Sequence, residues 1–429
     1  MRFFLVLLIS FSLNAEEGFD DSGFDDNFSD ELAIQTKPPE KGSVYGSVDL
    51  ESHYNFSNNK NLSSAKILTD LNAEYKIDNN AKISGNLKAY HDFIFDTSNH
   101  YSTTPNSYGN ELNVNELNIE GSINSNLDFK IGRQIVVWGK SDSIRITDVL
   151  NPLGNRTPGL IDIKNLRLGR LMSKLDYYQD NLKISAALLH ENRFSKNPKF
   201  GSDFKASTDL PESKPGNNLK NTGIALSLTG EFSGYDFGIY FADTYLDKPY
   251  FENGALHFDN KSKMLGFAYN QVIDNFLLKT EVAYFDTLKY SGLNGTKSRI
   301  DSLIGVEYTG INNGSISYEL SLKKINNYDN VINAQSNNFT KQETYQHALR
   351  FTQSYLNQTI DLTAILGVFG KKGDKGDFAR ASLNYAIDDK ISISGGIIDY
   401  IGGSNTTDPI RDNDRIFTKI SWFFQILSG

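Results

Sequence analysis

From Ser43 to Phe424 apolar and polar residues trade places with a period of two, the repeat of a β-strand with unlike faces. Ile316, Tyr318, Leu320 and Leu322 alternate with Ser315, Ser317, Glu319, Ser321 and Lys323. Ile360, Leu362, Ala364, Leu366 and Val368 alternate with Asp361, Thr363 and Gly367. Near the end, Ile416, Thr418, Ile420, Trp422 and Phe424 alternate with Arg415, Lys419 and Ser421. The pattern predicts 18 strands, near 43–57, 63–77, 81–95, 112–123, 127–138, 168–178, 182–190, 220–232, 235–244, 263–273, 276–287, 300–309, 315–323, 345–355, 359–369, 377–387, 390–400 and 413–425. Sixteen is the alternative if one hairpin does not form.

The connections alternate short and long. Asp78-Asn79-Asn80, Asn124-Ser125-Asn126, Ser233-Gly234, Asp274-Asn275 and Asp388-Asp389 are among eight tight breaks with the composition of hairpin turns. In transmembrane β-barrels such turns lie on the periplasmic side and the opposite connections are long. A soluble sandwich would also alternate. So many apolar faces, on a sheet whose two edges must be closed, instead suit a barrel with a lipid-covered skin. The expected fold is therefore all-β, an antiparallel transmembrane β-barrel over residues 43–429.

One stretch breaks the rhythm. The strand 127–138 places Leu127, Phe129, Ile131, Ile135 and Val137 on one face, but Arg133 falls among them. Either a bulge at Gly132 turns Arg133 inward or the arginine sits at headgroup level; the bulge is the preferred reading. Trp138-Gly139 ends the strand with a ring suited to a membrane–water interface. Residues 139–167 follow with no period, carrying Lys140, Asp142, Arg145, Asp148, Arg156, Asp162, Lys164 and Arg167. Asn151-Pro152 and Thr157-Pro158 prevent one continuous helix there. Charges in such a loop need partners, and a loop folded into the lumen finds them on the opposite wall. The expectation is a constriction or plug, with extracellular placement as the alternative. Its pore-lining set is Arg133, Asp142, Arg145, Asp148 and Arg156, with Arg350, Arg380 and Arg415 from the wall. Lys130, Glu281, Glu319, Lys323, Asp361 and Lys419 are expected to line a polar, water-filled lumen of mixed sign, which argues against strong ion selectivity.

Residues 1–15 read as a secretory signal peptide. Residues 16–42 form an acidic tail and linker too poor in apolar surface to fold alone. That tail is expected to be solvated in the periplasm. The sharper alternative docks Phe19, Phe24 and Phe28, within residues 18–30, onto a periplasmic or inner-membrane transport component.

Composition supports the barrel. The chain has 22 Tyr, 28 Phe and 34 Gly but two Trp, with a mean hydropathy of −0.42, as expected when each strand offers only alternate residues to lipid. A net charge of −9 gives no support for nucleic-acid binding. With no cysteine, disulfides and thiolate metal sites are excluded. None of the six histidines sits in a catalytic or metal-binding spacing, so neither an enzyme nor a cofactor is expected. The expected partners are outer-membrane lipid and a small-molecule or lipid-like cargo. A non-conducting structural or adhesive barrel is the competing reading.

At Gly132, Arg133, Gln134, Trp138, Gly139, Asp148, Asn151 and Pro152 the chain resembles a family of uncharacterised proteobacterial outer-membrane proteins, defined by a domain of unknown function. Members tend to be encoded near RND-type exporters. The resemblance is specific over about 131–178. It implies a barrel and a transport-related role, with no settled cargo.

Overall fold

The structure, a computed structural model, describes residues 41–57, 60–205, 207–335, 340–402 and 410–428. The expected signal peptide and the tail with Phe19, Phe24 and Phe28 lie outside the described residues.

All the expected strands form: β1 (Gly42–Asn55), β2 (Asn61–Lys76), β3 (Ala81–Asp92), β4 (Asn110–Asn124), β5 (Leu127–Gln134), β6 (Arg170–Gln179), β7 (Leu182–Leu189), β8 (Gly223–Phe232) and β9 (Tyr235–Tyr245), then β10 (Lys261–Ile273), β11 (Phe276–Leu288), β12 (Lys297–Ile311), β13 (Gly314–Ile325), β14 (Glu343–Tyr355), β15 (Ile360–Phe369), β16 (Asp377–Ala386), β17 (Ile391–Ile401) and β18 (Arg415–Ser428). They make one 18-stranded sheet. Each strand pairs antiparallel with its chain neighbours, and β18 returns to β1 from Gly42↔Ser428 to Asn55↔Arg415. No strand of the ring is left with an unpaired edge, the condition for crossing lipid with strands. Asp180, Asp274 and Asn313 take left-handed φ of 51°, 51° and 52° in the short turns, a conformation that Asp and Asn tolerate.

Burial is inverted relative to a soluble sheet. Leu50, Leu117, Leu265, Ile304, Ile420 and Trp422 are exposed on the outside, while Asp49, Lys279, Glu281, Asp301, Glu319 and Arg415 are buried inside. The exposed apolar faces form the skin that lipid covers.

Three expectations change around β5. The strand stops at Gln134, because Ile135 N–H donates to the Glu116 carboxylate (2.8 Å) and Val136 N–H to Asn151 Oδ1 (2.8 Å), leaving the ladder. Trp138 therefore never reaches the interface; it is buried and stacks on Tyr240 at 4.9 Å. Nor does Gly132 form a bulge, since β5 pairs with β6 in unbroken register from Leu127 to Gln134. Glycine is required at 132, where φ is +132° and a Cβ would meet the Leu117 carbonyl and Asn118. Arg133 consequently stays on the outer face, opposite Leu171. It lies at the long-loop end of the strand, where Glu191 (2.6 Å) and the Val114 carbonyl (3.1 Å) satisfy its guanidinium. It does not line the lumen.

The lumen is not polar throughout. Trp138, Ile144, Ile146 and Leu150 pack against Ala225, Tyr240, Ala242, Met264, Ala268, Ala283, Phe285 and Leu303, residues on the inner face of β8 to β12. At the long-loop end, Glu212–Ser213 runs parallel to Ala255–His257, which pairs antiparallel with Tyr250–Glu252.

Candidate functional site

The site is the segment 135–169 and the wall that holds it. Its neck is tied by residues of the 132–152 stretch. Asn151 Nδ2 donates to the carbonyls of Leu168 (2.9 Å) and Gln134 (3.3 Å), bracing outgoing and returning chain together. Leu168 N–H donates to the Pro152 carbonyl (2.8 Å), and Gln134 Nε2 to the Met172 carbonyl (3.2 Å).

From the neck the chain crosses to β11 and β13. Glu281 accepts from the backbone N–H of Lys140 (2.6 Å), Ser141 (2.8 Å) and Thr147 (3.2 Å), and from the Thr147 hydroxyl (2.8 Å). Glu319 accepts from the Ser141 hydroxyl (2.7 Å) and from the N–H of Asp142 (2.9 Å) and Ser143 (3.1 Å). Gly139, at φ +84°, is required for this approach, since a Cβ would lie 2.7 Å from both Glu281 oxygens. Asp142 pairs with Lys279, and Lys140 with Asp236 at 2.5 Å. Asp236 and Lys279 lie just past short turns, so the tip of the segment reaches the periplasmic half of the barrel.

The returning chain crosses at a second level. Arg156 pairs with Glu111 (2.7 Å) and donates to Tyr90, while Tyr108 donates to the Arg156 carbonyl (3.0 Å). On the other side Arg380 donates to the carbonyls of Gly159 (3.1 Å) and Leu160 (2.6 Å) and pairs with Asp162, which Arg350 also approaches at 3.5 Å. Burial alone would raise the Asp162 carboxyl, but Arg380 and Arg350 outweigh it and hold it below the usual carboxylate range. Tyr400 donates to the Pro158 carbonyl at 2.5 Å. Residues 156–162 thus bridge β3 and β4 to β14, β16 and β17.

Of the expected set, Asp142, Arg156, Arg350 and Arg380 join segment to wall. Arg145 and Asp148 pair with each other (3.1 Å), and Asp148 also takes Arg167 (2.9 Å) within the segment. Arg415 holds a different loop, pairing with Asp203 at 3.3 Å and lying 4.5 Å from the Phe204 ring centre. The anchors Glu281 and Glu319 were expected only as wall lining. Their signal was a carboxylate on the inner face, which alternation shows, but their partners lie more than a hundred residues away in sequence. Asp162 was visible as a charge in the segment, without a sign of which wall it would meet.

A closed antiparallel ring with an apolar exterior and a segment tied across its interior defines a transmembrane β-barrel of the outer-membrane type. Within that class, the chain belongs to the family described as Protein of unknown function (DUF1302), whose model matches residues 51–424. Among curated proteins none matches the chain. The fold is similar to solved outer-membrane proteins at low identity. Pseudomonas aeruginosa OccK1 (OpdK) shares 10% identity at a TM-score of 0.55, covering 90% of this chain and 100% of its own. A second OpdK structure, determined with vanillate, gives 10%, 0.55, 90% and 100% by the same measures. Acinetobacter baumannii OccAB4 shares 11% at a TM-score of 0.54, covering 91% of this chain and 99% of its own.

Proposed function

We propose that this protein is an outer-membrane channel for small or amphipathic molecules, with segment 135–169 as its constriction. The observation that carries this reading is the seven hydrogen bonds by which Glu281 and Glu319 hold residues 140–147 inside a closed ring. A loop with no interior task would not need two buried carboxylates, each a costly group to bury. The fold shared with OpdK, a protein determined with vanillate, supports small molecules as the cargo class. Coupling to an export system through Phe19, Phe24 and Phe28 is part of the same proposal. Deleting 18–30 should leave barrel assembly intact and abolish co-purification of a periplasmic partner; failed assembly would make the tail structural instead.

The decisive test is conductance in planar bilayers. The wild-type chain should give steady ohmic steps, and deletion of 140–165 should enlarge them several-fold. Equal steps from both chains would overturn the constriction. Silence from both would overturn the channel.

A further inference from the structure

Above the constriction, at the long-loop ends of β12 and β13, positive charge is not compensated. Asp301 is buried and both its oxygens are taken by Arg299, at 2.7 and 2.8 Å. Lys323 stands directly opposite Asp301 in the ladder, on the same inner face. Among the described residues no carboxylate lies within ion-pair distance of Lys323 or of Lys248, which reaches in from the β9–β10 connection. Lys248 interacts electrostatically with Arg299, Lys323 and Asp301, and Lys323 also with Arg145. Arg145 brings no spare negative charge, because its partner Asp148 also serves Arg167. Asp247, near Arg145, is engaged by the Ser195 N–H at 2.5 Å and by its hydroxyl.

Lys248 is solvent-exposed and stands in a recess at the long-loop end of the barrel. That recess is also lined by Tyr250, Tyr290 and Arg299. Like charges are brought this close, at a cost in stability, where something of opposite sign spends time among them. The ammonium of Lys248 is pushed down to about 8, by burial first and then by Arg299 and Lys323, so the cluster repels itself.

We propose that Lys248 and Lys323, backed by Arg299, form an anion-binding station in the outer vestibule, which a small carboxylate or an inorganic anion occupies before reaching the constriction. This rests on the channel reading for its purpose, but its test does not. The full chain in detergent is titrated with trifluoroacetate, followed by fluorine NMR, and separately with inorganic phosphate, followed by phosphorus NMR. Line broadening is compared among the wild type, the double variant K248Q/K323Q, the charge-retaining K248R/K323R and a control, K82Q, on the opposite wall. The expected outcome is affinity roughly tenfold weaker in K248Q/K323Q, from losing two nearby charges, with the arginine pair and the control near wild type. Broadening by trifluoroacetate alone assigns a carboxylate site, and broadening by both assigns a general anion site. Equal broadening in wild type and K248Q/K323Q, or none in the wild type, would overturn the station. Bilayer recordings separate the two readings. A silent protein that still binds trifluoroacetate through these lysines loses the channel and keeps the site. A conducting protein whose anion preference is unchanged by K248Q/K323Q loses the site and keeps the channel.

Discussion

The inner walls of β8–β11 and of β1–β5 are built on the same alternation and end up opposite in character. On β8 to β11 the inward positions include Ala225, Ala242, Ala268 and Ala283, at most 2% exposed, with Trp138, Ile144 and Ile146 of the segment laid over them. On β1 to β5 the inward positions carry Glu51–Lys66 (3.1 Å), Asp70–Lys88 (3.2 Å) and a chain in which Lys82 meets Glu120 (3.1 Å) and Glu120 meets Lys130 (2.8 Å), all with part of their surface open. Small side chains leave room for a dry second layer. Long paired charges cannot shed their water cheaply, so they keep their wall wet. A barrel can thus fill one half of its lumen and hydrate the other without changing its strand pattern.

The comparison breaks most sharply at the two anchors. Changing Glu281 and Glu319 together to glutamine removes charged acceptors from seven donors, and each donor left unpaired costs about 1–3 kcal/mol. The segment should detach, seen as rapid proteolysis between 140 and 147 and enlarged conductance from a barrel that still migrates as folded. Protection equal to wild type would show that the carboxylates do not hold it. A single Ala268→Phe on the dry wall should cost about 1–3 kcal/mol by overpacking, read as a lower urea midpoint in detergent. The matching change Ser84→Phe on the wet wall should cost less than half as much, and equal costs would erase the distinction drawn here. Gly139→Ala should displace the tip, because its Cβ meets Glu281, while Gly216→Ala, whose Cβ would meet only Asn218 Nδ2 at 3.9 Å, should be almost silent. A small loss is expected on the wet wall, where Lys88→Gln breaks a half-exposed pair worth at most about 1 kcal/mol.

A pH series sharpens the contrast in another way. Lys248 is held near 8 against an ordinary 10.5, first by burial and then by Arg299 from β12 and Lys323 from β13, with Asp301 opposing; Lys289, Tyr250 and Tyr290 line the same recess. Its folded-state value is depressed, so the cost of carrying its charge is present below pH 8 and fades as pH rises toward 10.5. Stability should therefore rise slightly over that window, while anion preference in bilayers weakens as pH passes 8. Loss of anion preference in K248Q at pH 7, with no further change to pH 9, would tie the step to this lysine.

Alternation and turn composition were enough to determine the ring. A period of two with Asn, Asp and Gly breaks is local chemistry, and eighteen strands follow with ends displaced by a few residues. The stretch 139–167 also announced itself, because unpaired charges and two X-Pro steps cannot belong to a strand. The direction in which Arg133 points was not legible, since a glycine with positive φ fits either a bulge or a close approach to Leu117. Trp138 looked like an interface ring because its burial depends on Tyr240, a hundred residues on. The alanine row of β8 to β11 looked no different from any other non-apolar face, since alanine records nothing of what packs on it. Whether a lumen is wet or filled, and which carboxylates anchor what fills it, depends on contacts between residues far apart in the chain. Only the closed tertiary structure brings Glu281 and Glu319 to the amides of residues 140–147, and only there does burial turn ordinary wall residues into anchors.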